Sequence, residues 1–176
     1  GADGAVAPSD RIAMGCIGTG GQGTGIMNAF MRIPEVQVLA VCDIDKGYAS
    51  DGGGSWYGRE PSRALVDNYY AQQNPTGTYK SCAAYSDFRE LLTRNDIDAL
   101  TVCTPDHWHG TISAAAAQAG KDIYCEKPLV NTIAEGKAVR DAVGRYKRVL
   151  QTGSHERSNT SVRFACELVR NGRIGK

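Results

Sequence analysis

Residues 12–23 read Ile12-Ala13-Met14-Gly15-Cys16-Ile17-Gly18-Thr19-Gly20-Gly21-Gln22-Gly23, an apolar run passing without a spacer into a G-x-G-x-x-G hexamer. The run predicts a strand and the glycines a tight turn, with a helix expected from Gly25 to Arg32. The hexamer alone is a weak signal, because glycine-rich stretches are common. Its setting decides the reading: a second apolar run, Val36 to Cys42, ends in Asp43, 20 positions beyond Gly23. That is the spacing of a nucleotide-binding βαβ unit. Gly18 allows the turn, Gly20 lets the backbone approach a pyrophosphate, and Gly23 lets helix and strand pack closely. Thr19, Gly21 and Gln22 belong to the same phosphate-binding turn, whose helix N-terminus offers free amides and a positive dipole. Asp43 is placed to accept hydrogen bonds from the adenosine ribose and to repel a 2′-phosphate, which favours NAD over NADP. Lys46 lies close enough to blur that preference.

The alternation continues along the chain. Further strands are expected at Cys82 to Tyr85, Ile97 to Cys103, Asp122 to Cys125 and Arg148 to Thr152. Helices are expected at Ser62 to Gln72, Asp87 to Thr93 (capping-box spacing of Asp87 and Glu90), Asp106 to Gln118, from a cap at Asn131 to about Tyr146, and at Asn159 to Arg170. Trp108, Ile112, Ala115, Ala116 and Ala119 share one face of the fourth of these six helices, counted from the one after the glycine turn as the first. Ala138, Val139, Ala142, Val143 and Tyr146 form the buried stripe of the next. Strands separated by helices pair in parallel through right-handed crossovers, so the expected fold is a doubly wound α/β parallel sheet, a Rossmann fold. Positions 46–80 are too polar and glycine-rich at their start for a core element. They read as a surface excursion near the site, an oligomer contact or a tolerated insertion.

The chain has 176 residues, and 20 Lys+Arg against 19 Asp+Glu leave a net charge of +1. One domain with a real core is expected from that length and from 41% hydrophobic residues. Near-neutrality argues against nucleic acid or an anionic membrane as partner, since both select basic faces. No apolar stretch approaches the ~20 residues that cross a bilayer. The six cysteines contain no C-x-x-C pair and mostly lie in apolar segments, so they read as reduced core thiols, and Cys125 has no paired base to make it a nucleophile. His107, His109 and His155 lack zinc-site spacing, and no metal is expected. Residues 1–9 are small and without period; with residue 10 they are expected to form a flexible tail, a cloning scar or the remnant of a removed leader. The protein is expected in the cytoplasm, or exported in folded form if a leader was removed.

Two further loops leave the carboxyl ends of expected strands, where open α/β sheets bind ligands. They are Cys103-Thr104-Pro105-Asp106-His107-Trp108-His109 and Cys125-Glu126-Lys127-Pro128. With them the chain resembles the Gfo/Idh/MocA family of nicotinamide-dependent oxidoreductases. The matching features are GTGGQG, Asp43, the TP-x-x-x-H of Thr104, Pro105 and His109, the AGK-x-I-x-x-EKP of Ala119 to Pro128, and Gly153-Ser154; they span residues 11 to about 176. The EKP motif is the most specific of these.

The resemblance implies a dinucleotide-binding Rossmann domain over 11–158, a helix and connection over 159–176, and a second α/β domain that is absent from this chain and supplies most substrate contacts. It implies that Lys127 is catalytic, reaching nicotinamide and substrate and helping to move a hydroxyl proton, with Pro128 restricting its backbone. Glu126 holds the loop or contacts the cofactor, Thr104 and Pro105 border the nicotinamide ribose, and His109 lies near the pyrophosphate or packs on its helix. His155, Glu156 and Arg157 either border the crevice or are ordinary surface polarity. The implied activity is hydride transfer between NAD(P) and a sugar or polyol hydroxyl by a homo-oligomeric full-length enzyme, with these residues alone inactive. An NAD-dependent glycosidase and a non-catalytic NAD-binding module are the alternatives.

Overall fold

A computed structural model of the chain describes residues 10–74 and 76–175. The expected tail, apart from Asp10, lies outside the described residues. Strand β1 (Ile12–Ile17), helix α1 (Gly21–Met31) and β2 (Val36–Cys42) are followed by a hairpin of β3 (Tyr48–Ala49) and β4 (Trp56–Tyr57) and by α2 (Arg59–Gln73). Then come β5 (Ala83–Tyr85), α3 (Phe88–Leu92), β6 (Ala99–Val102), α4 (Asp106–Gln118), β7 (Asp122–Cys125), α5 (Ile133–Tyr146), β8 (Leu150–Thr152), a 3₁₀ turn (His155–Ser158) and α6 (Thr160–Arg170). Six strands form one parallel sheet in the order β5-β2-β1-β6-β7-β8. Connections run outward in both directions from β1 and β6, so the crevice of a doubly wound sheet opens between those two strands.

Alternation along the strands loads both faces, as a parallel sheet requires. Met14, Cys16, Val36, Val38 and Val41 pack under Met27 and Met31 of α1 and Val66 of α2. Ile17, Ala40, Leu100, Val102 and Ile123 pack under Leu91 of α3 and Ile112, Ala116 and Ala117 of α4. Each large aliphatic side chain so buried contributes about 1.5–3 kcal/mol. The register aligns the strand ends: Ile17 pairs with Cys42 and Val102, Val102 with Cys125, and Cys125 with Thr152. Gly18, Asp43, Cys103, Glu126 and Gly153 therefore leave the sheet at one level, along one edge.

Several elements differ from the sequence reading. Helix α1 starts at Gly21, four residues early, so the glycine turn is itself the first helical turn. The polar stretch after β2 is ordered as an antiparallel hairpin, with Tyr48 opposite Tyr57 and Ala49 opposite Trp56. Helix α4 is rotated from the expected face: it buries His109, Ile112, Ser113, Ala116 and Ala117, while Trp108 is 40% exposed and meets Phe88 edge-on. On α5 only Val139 is buried, because that helix lies on α4 at the outside of the fold. Its cap is Thr132 rather than Asn131, in a reciprocal capping box with Glu135. Asp87 caps α3 through the Arg89 N–H at 2.9 Å. The Lys121 of AGK is buried at the start of β7, where Nζ donates to the carbonyls of Arg94 and Ile97 at 2.5 and 2.8 Å. It braces the opposite end of the sheet from the aligned loops.

Candidate cofactor site

The glycine loop is defined by two close approaches. Gly18 has φ +82°, and a Cβ there would stand 2.5 Å from the Cys103 carbonyl carbon at the start of the loop after β6. A Cβ on Gly23 would stand 1.9 Å from the Gly18 carbonyl oxygen, so helix α1 rests directly on the turn. Gly20 is the N-cap of α1 and no side chain caps it. The first-turn amides, which a helix cannot pair internally, thus form an open anion-binding end.

Asp43 does more than the sequence reading assigned. Its Oδ2 accepts from the Thr19 N–H at 2.7 Å and the Thr19 hydroxyl at 3.2 Å, and its Oδ1 accepts from the Asp45 N–H at 3.0 Å. The carboxylate pins the glycine loop to the end of β2, and Oδ1, with one donor, keeps acceptor capacity for a ribose hydroxyl. Thr19 is accordingly buried. Lys46, expected to be the neighbouring cation, is exposed. Arg59 holds that place: its Nη1 donates to the carbonyls of Asp43 and Ile44 at 3.2 and 2.8 Å. Nothing in the local sequence points to Arg59, because it lies 16 positions from Asp43, beyond the β3–β4 hairpin that brings it back.

The second cluster is bound together by two buried side chains. His109 is 1% exposed, with Nδ1 2.6 Å from the Pro128 carbonyl and Nε2 2.7 Å from the Thr104 carbonyl. It straps the loop after β6 to the loop after β7. Glu126 is 4% exposed. Its Oε2 accepts from the Lys127 N–H at 2.8 Å, and its Oε1 accepts from Gln22 Nε2 at 3.3 Å and pairs with His155 Nε2. One carboxylate therefore joins the glycine-loop helix, the lysine loop and the turn after β8. Lys127 is exposed and precedes a cis peptide bond to Pro128. Pro105 is the N-cap of α4, and the Thr104 Oγ1 is buried without a hydrogen-bond partner among the described residues. Burial pushes the Cys103 and Cys125 thiols up, away from thiolate character.

Burial of Glu126 raises its carboxyl pKa, but hydrogen bonds from His155, the Lys127 N–H and Gln22 outweigh this and hold it below its ordinary value of 4.5. A folded-state value below the unfolded one adds stability above about pH 4.5 that is lost as the pH falls through the folded value. The stability advantage of the wild type over Glu126→Gln should therefore shrink on acidification from about pH 4.5, as followed by denaturant unfolding. A pH-independent difference would show that the carboxylate charge is not what the network holds.

These residues fit a dinucleotide. The turn closes so tightly that a Cβ at Gly18 or Gly23 would fill it, and among the described residues the adjoining helix end has no side-chain cap and the buried Thr104 hydroxyl has no partner. No helix among the described residues is long and apolar enough to cross a membrane.

Residues 12–154 match the family model of the Gfo/Idh/MocA oxidoreductases, described as an NAD-binding Rossmann fold. The chain is 40% identical over 123 residues to levoglucosan dehydrogenase of Pseudarthrobacter phenanthrenivorans, covering 66% of this chain and 32% of that protein. It is 32% identical over 126 residues to a glycosyl hydrolase family 109 protein of a Shewanella species, covering 72% of this chain and 25% of that one. The scyllo-inositol dehydrogenase structure from Lactobacillus casei with bound NAD(H) and scyllo-inositol shares the fold at TM-score 0.66 and 21% identity, over 94% of this chain and 43% of that chain. The match thus spans less than half the length of each of these relatives. The aligned loops, the glycine cradle and the family match agree, and the chain belongs to the Gfo/Idh/MocA oxidoreductases as an NAD-binding domain of Rossmann fold.

Proposed function

We propose that this domain serves an oxidoreductase that moves a hydride between NAD and a hydroxyl-bearing carbon of a sugar or polyol. The observation that carries the reading is the Glu126 carboxylate, which fixes the backbone of Lys127 and the glycine-loop helix to each other across the crevice. When bound, NAD supplies the hydride acceptor. Lys127 Nζ takes the hydroxyl proton as the alcohol carbon becomes a carbonyl, and His109 keeps the lysine loop and the Thr104 loop in fixed register. Similarity to levoglucosan dehydrogenase supports a carbohydrate substrate. The lengths of the relatives support a second domain, beyond these residues, that contributes most substrate contacts; the 176 residues then bind NAD without turnover. The Asp43 carboxylate favours NAD over NADP.

A second reading, glycoside cleavage with NAD as a recycled cofactor, has the family 109 relatives in its favour. Fluorescence titration of the chain with NAD, NADH and NADP tests the base of both: NAD and NADH should bind, with NADP weaker by roughly tenfold or more through charge repulsion. Failure of NAD and NADH to bind overturns both readings. In a protein that includes the substrate domain, net NADH formation from a free sugar selects the dehydrogenase, and glycoside cleavage without net NADH selects the glycosidase.

A further inference from the structure

The hairpin β3–β4 is absorbed by nothing in the function above, yet it touches the cradle. A Cβ built on Gly20 would lie 3.0 Å from the Tyr48 hydroxyl, and one built on Gly21 would lie 3.5 Å from Tyr57 Oη and Cζ. Two phenol groups from one hairpin thus converge on the N-terminal peptide of α1. Their placement is built in. Tyr48 and Tyr57 are cross-strand partners with ring centroids 5.9 Å apart, and the chain leaving β4 is bonded to the glycine loop and to the end of β2. There the Gly58 N–H donates to the Thr19 carbonyl at 3.2 Å, the Arg59 N–H to Asp45 at 3.0 Å and the Glu60 N–H to Lys46 at 3.1 Å. The hairpin does not serve the core, since Tyr48 and Trp56 are 40% and 67% exposed.

We propose that this hairpin is a cofactor-binding element, in which the hydroxyls of Tyr48 and Tyr57 donate hydrogen bonds to the diphosphate of the dinucleotide held at the N-terminus of α1. A phenol suits that position because it is a neutral donor. Burial, followed by the charges of Asp43 and Asp45, pushes the Tyr48 hydroxyl pKa above its ordinary value, so it keeps its proton beside an anion. Carboxylates there would repel the phosphates, and Asp45 and Asp51 are both close enough to Tyr48 to be felt by it. The arrangement extends the backbone cradle with a side-chain wall, and neither tyrosine lies in the G-x-G-x-x-G motif.

The inference rests on the NAD site described above, and titration separates the two. The chain is titrated with NADH and with ADP as Tyr48→Phe, Tyr57→Phe and the double variant, with folding checked by circular dichroism. Each substitution removes one hydrogen bond to a charged group and should weaken NADH and ADP alike by about tenfold. Wild-type affinity in the variants, or tighter binding, overturns the proposal and makes the hairpin a cover that the cofactor displaces. A loss for NADH with ADP unchanged also overturns it, by moving the hydroxyls away from the diphosphate. If the wild type binds neither ligand, the NAD site itself fails and the proposal with it.

Discussion

Gly23→Ala should lower NAD affinity by at least ~100-fold, because two ~1.5–3 kcal/mol hydrogen bonds to phosphate would be lost. The added methyl would stand 1.9 Å from the Gly18 carbonyl oxygen, a backbone atom with no rotamer in which to withdraw. Gly18 has little room to yield, since the Cys103–Thr104 peptide lies only 2.5–2.6 Å from where its Cβ would stand. Helix α1 must therefore lift from the turn, carrying the Gly21 and Gln22 amides out of the cradle. The same shift pulls Gln22 Nε2 from Glu126, which it reaches at only 3.3 Å. Overpacking against backbone belongs at the upper end of the usual cost, about 1–3 kcal/mol of stability. Gly25→Ala is the control: a Cβ two residues further along meets nothing within 4 Å, so this variant should gain about 0.5–1 kcal/mol and bind NAD normally. Calorimetric titration and thermal unfolding of both variants decide the matter. Normal NAD affinity in Gly23→Ala would remove the glycine turn from the cofactor site.

The contrast between these glycines marks how far local sequence carries. The roles of Gly18 and Gly23 were legible because turn and packing lie within one short motif, and β1, β2, α4 and β7 begin and end where their apolar patterns do. The cross-sheet network was not legible. Gln22 and Glu126 are 104 positions apart, and His155 reaches Glu126 across 29, distances at which periodicity records nothing. The rotation of α4 has the same origin. Hydrophobicity places Trp108 inside and leaves His109 with two readings, whereas the carbonyls of Thr104 and Pro128 satisfy the imidazole and turn that face inward. The composition of positions 46–80 suits no core and marks a surface excursion without choosing between the site, an oligomer contact and a tolerated insertion; the surface on which the hairpin packs is the glycine loop.

Lys127→Ala should leave the fold and the cofactor site intact and still remove turnover from the enzyme that includes the substrate domain. The side chain is exposed, so stability should stay within about 0.5 kcal/mol of wild type. The loop is held by main-chain and neighbouring groups, through Glu126 to the Lys127 N–H and His109 to the Pro128 carbonyl, and alanine keeps both contacts. Loss of a positioned acid–base group lowers the chemical step by roughly 10²–10⁴-fold, and single-turnover NADH formation reads that step directly. Lys127→Arg separates charge from proton transfer. Arginine keeps the cation but cannot release a proton near neutral pH, so it should be nearly as inactive as alanine if Lys127 accepts the hydroxyl proton. Substantial recovery in the arginine variant would mean that the lysine acts by charge and orientation alone. Full turnover in the alanine variant would remove Lys127 from the chemistry, and Glu126 and His109 would then be supports of a cofactor site whose catalytic group lies elsewhere.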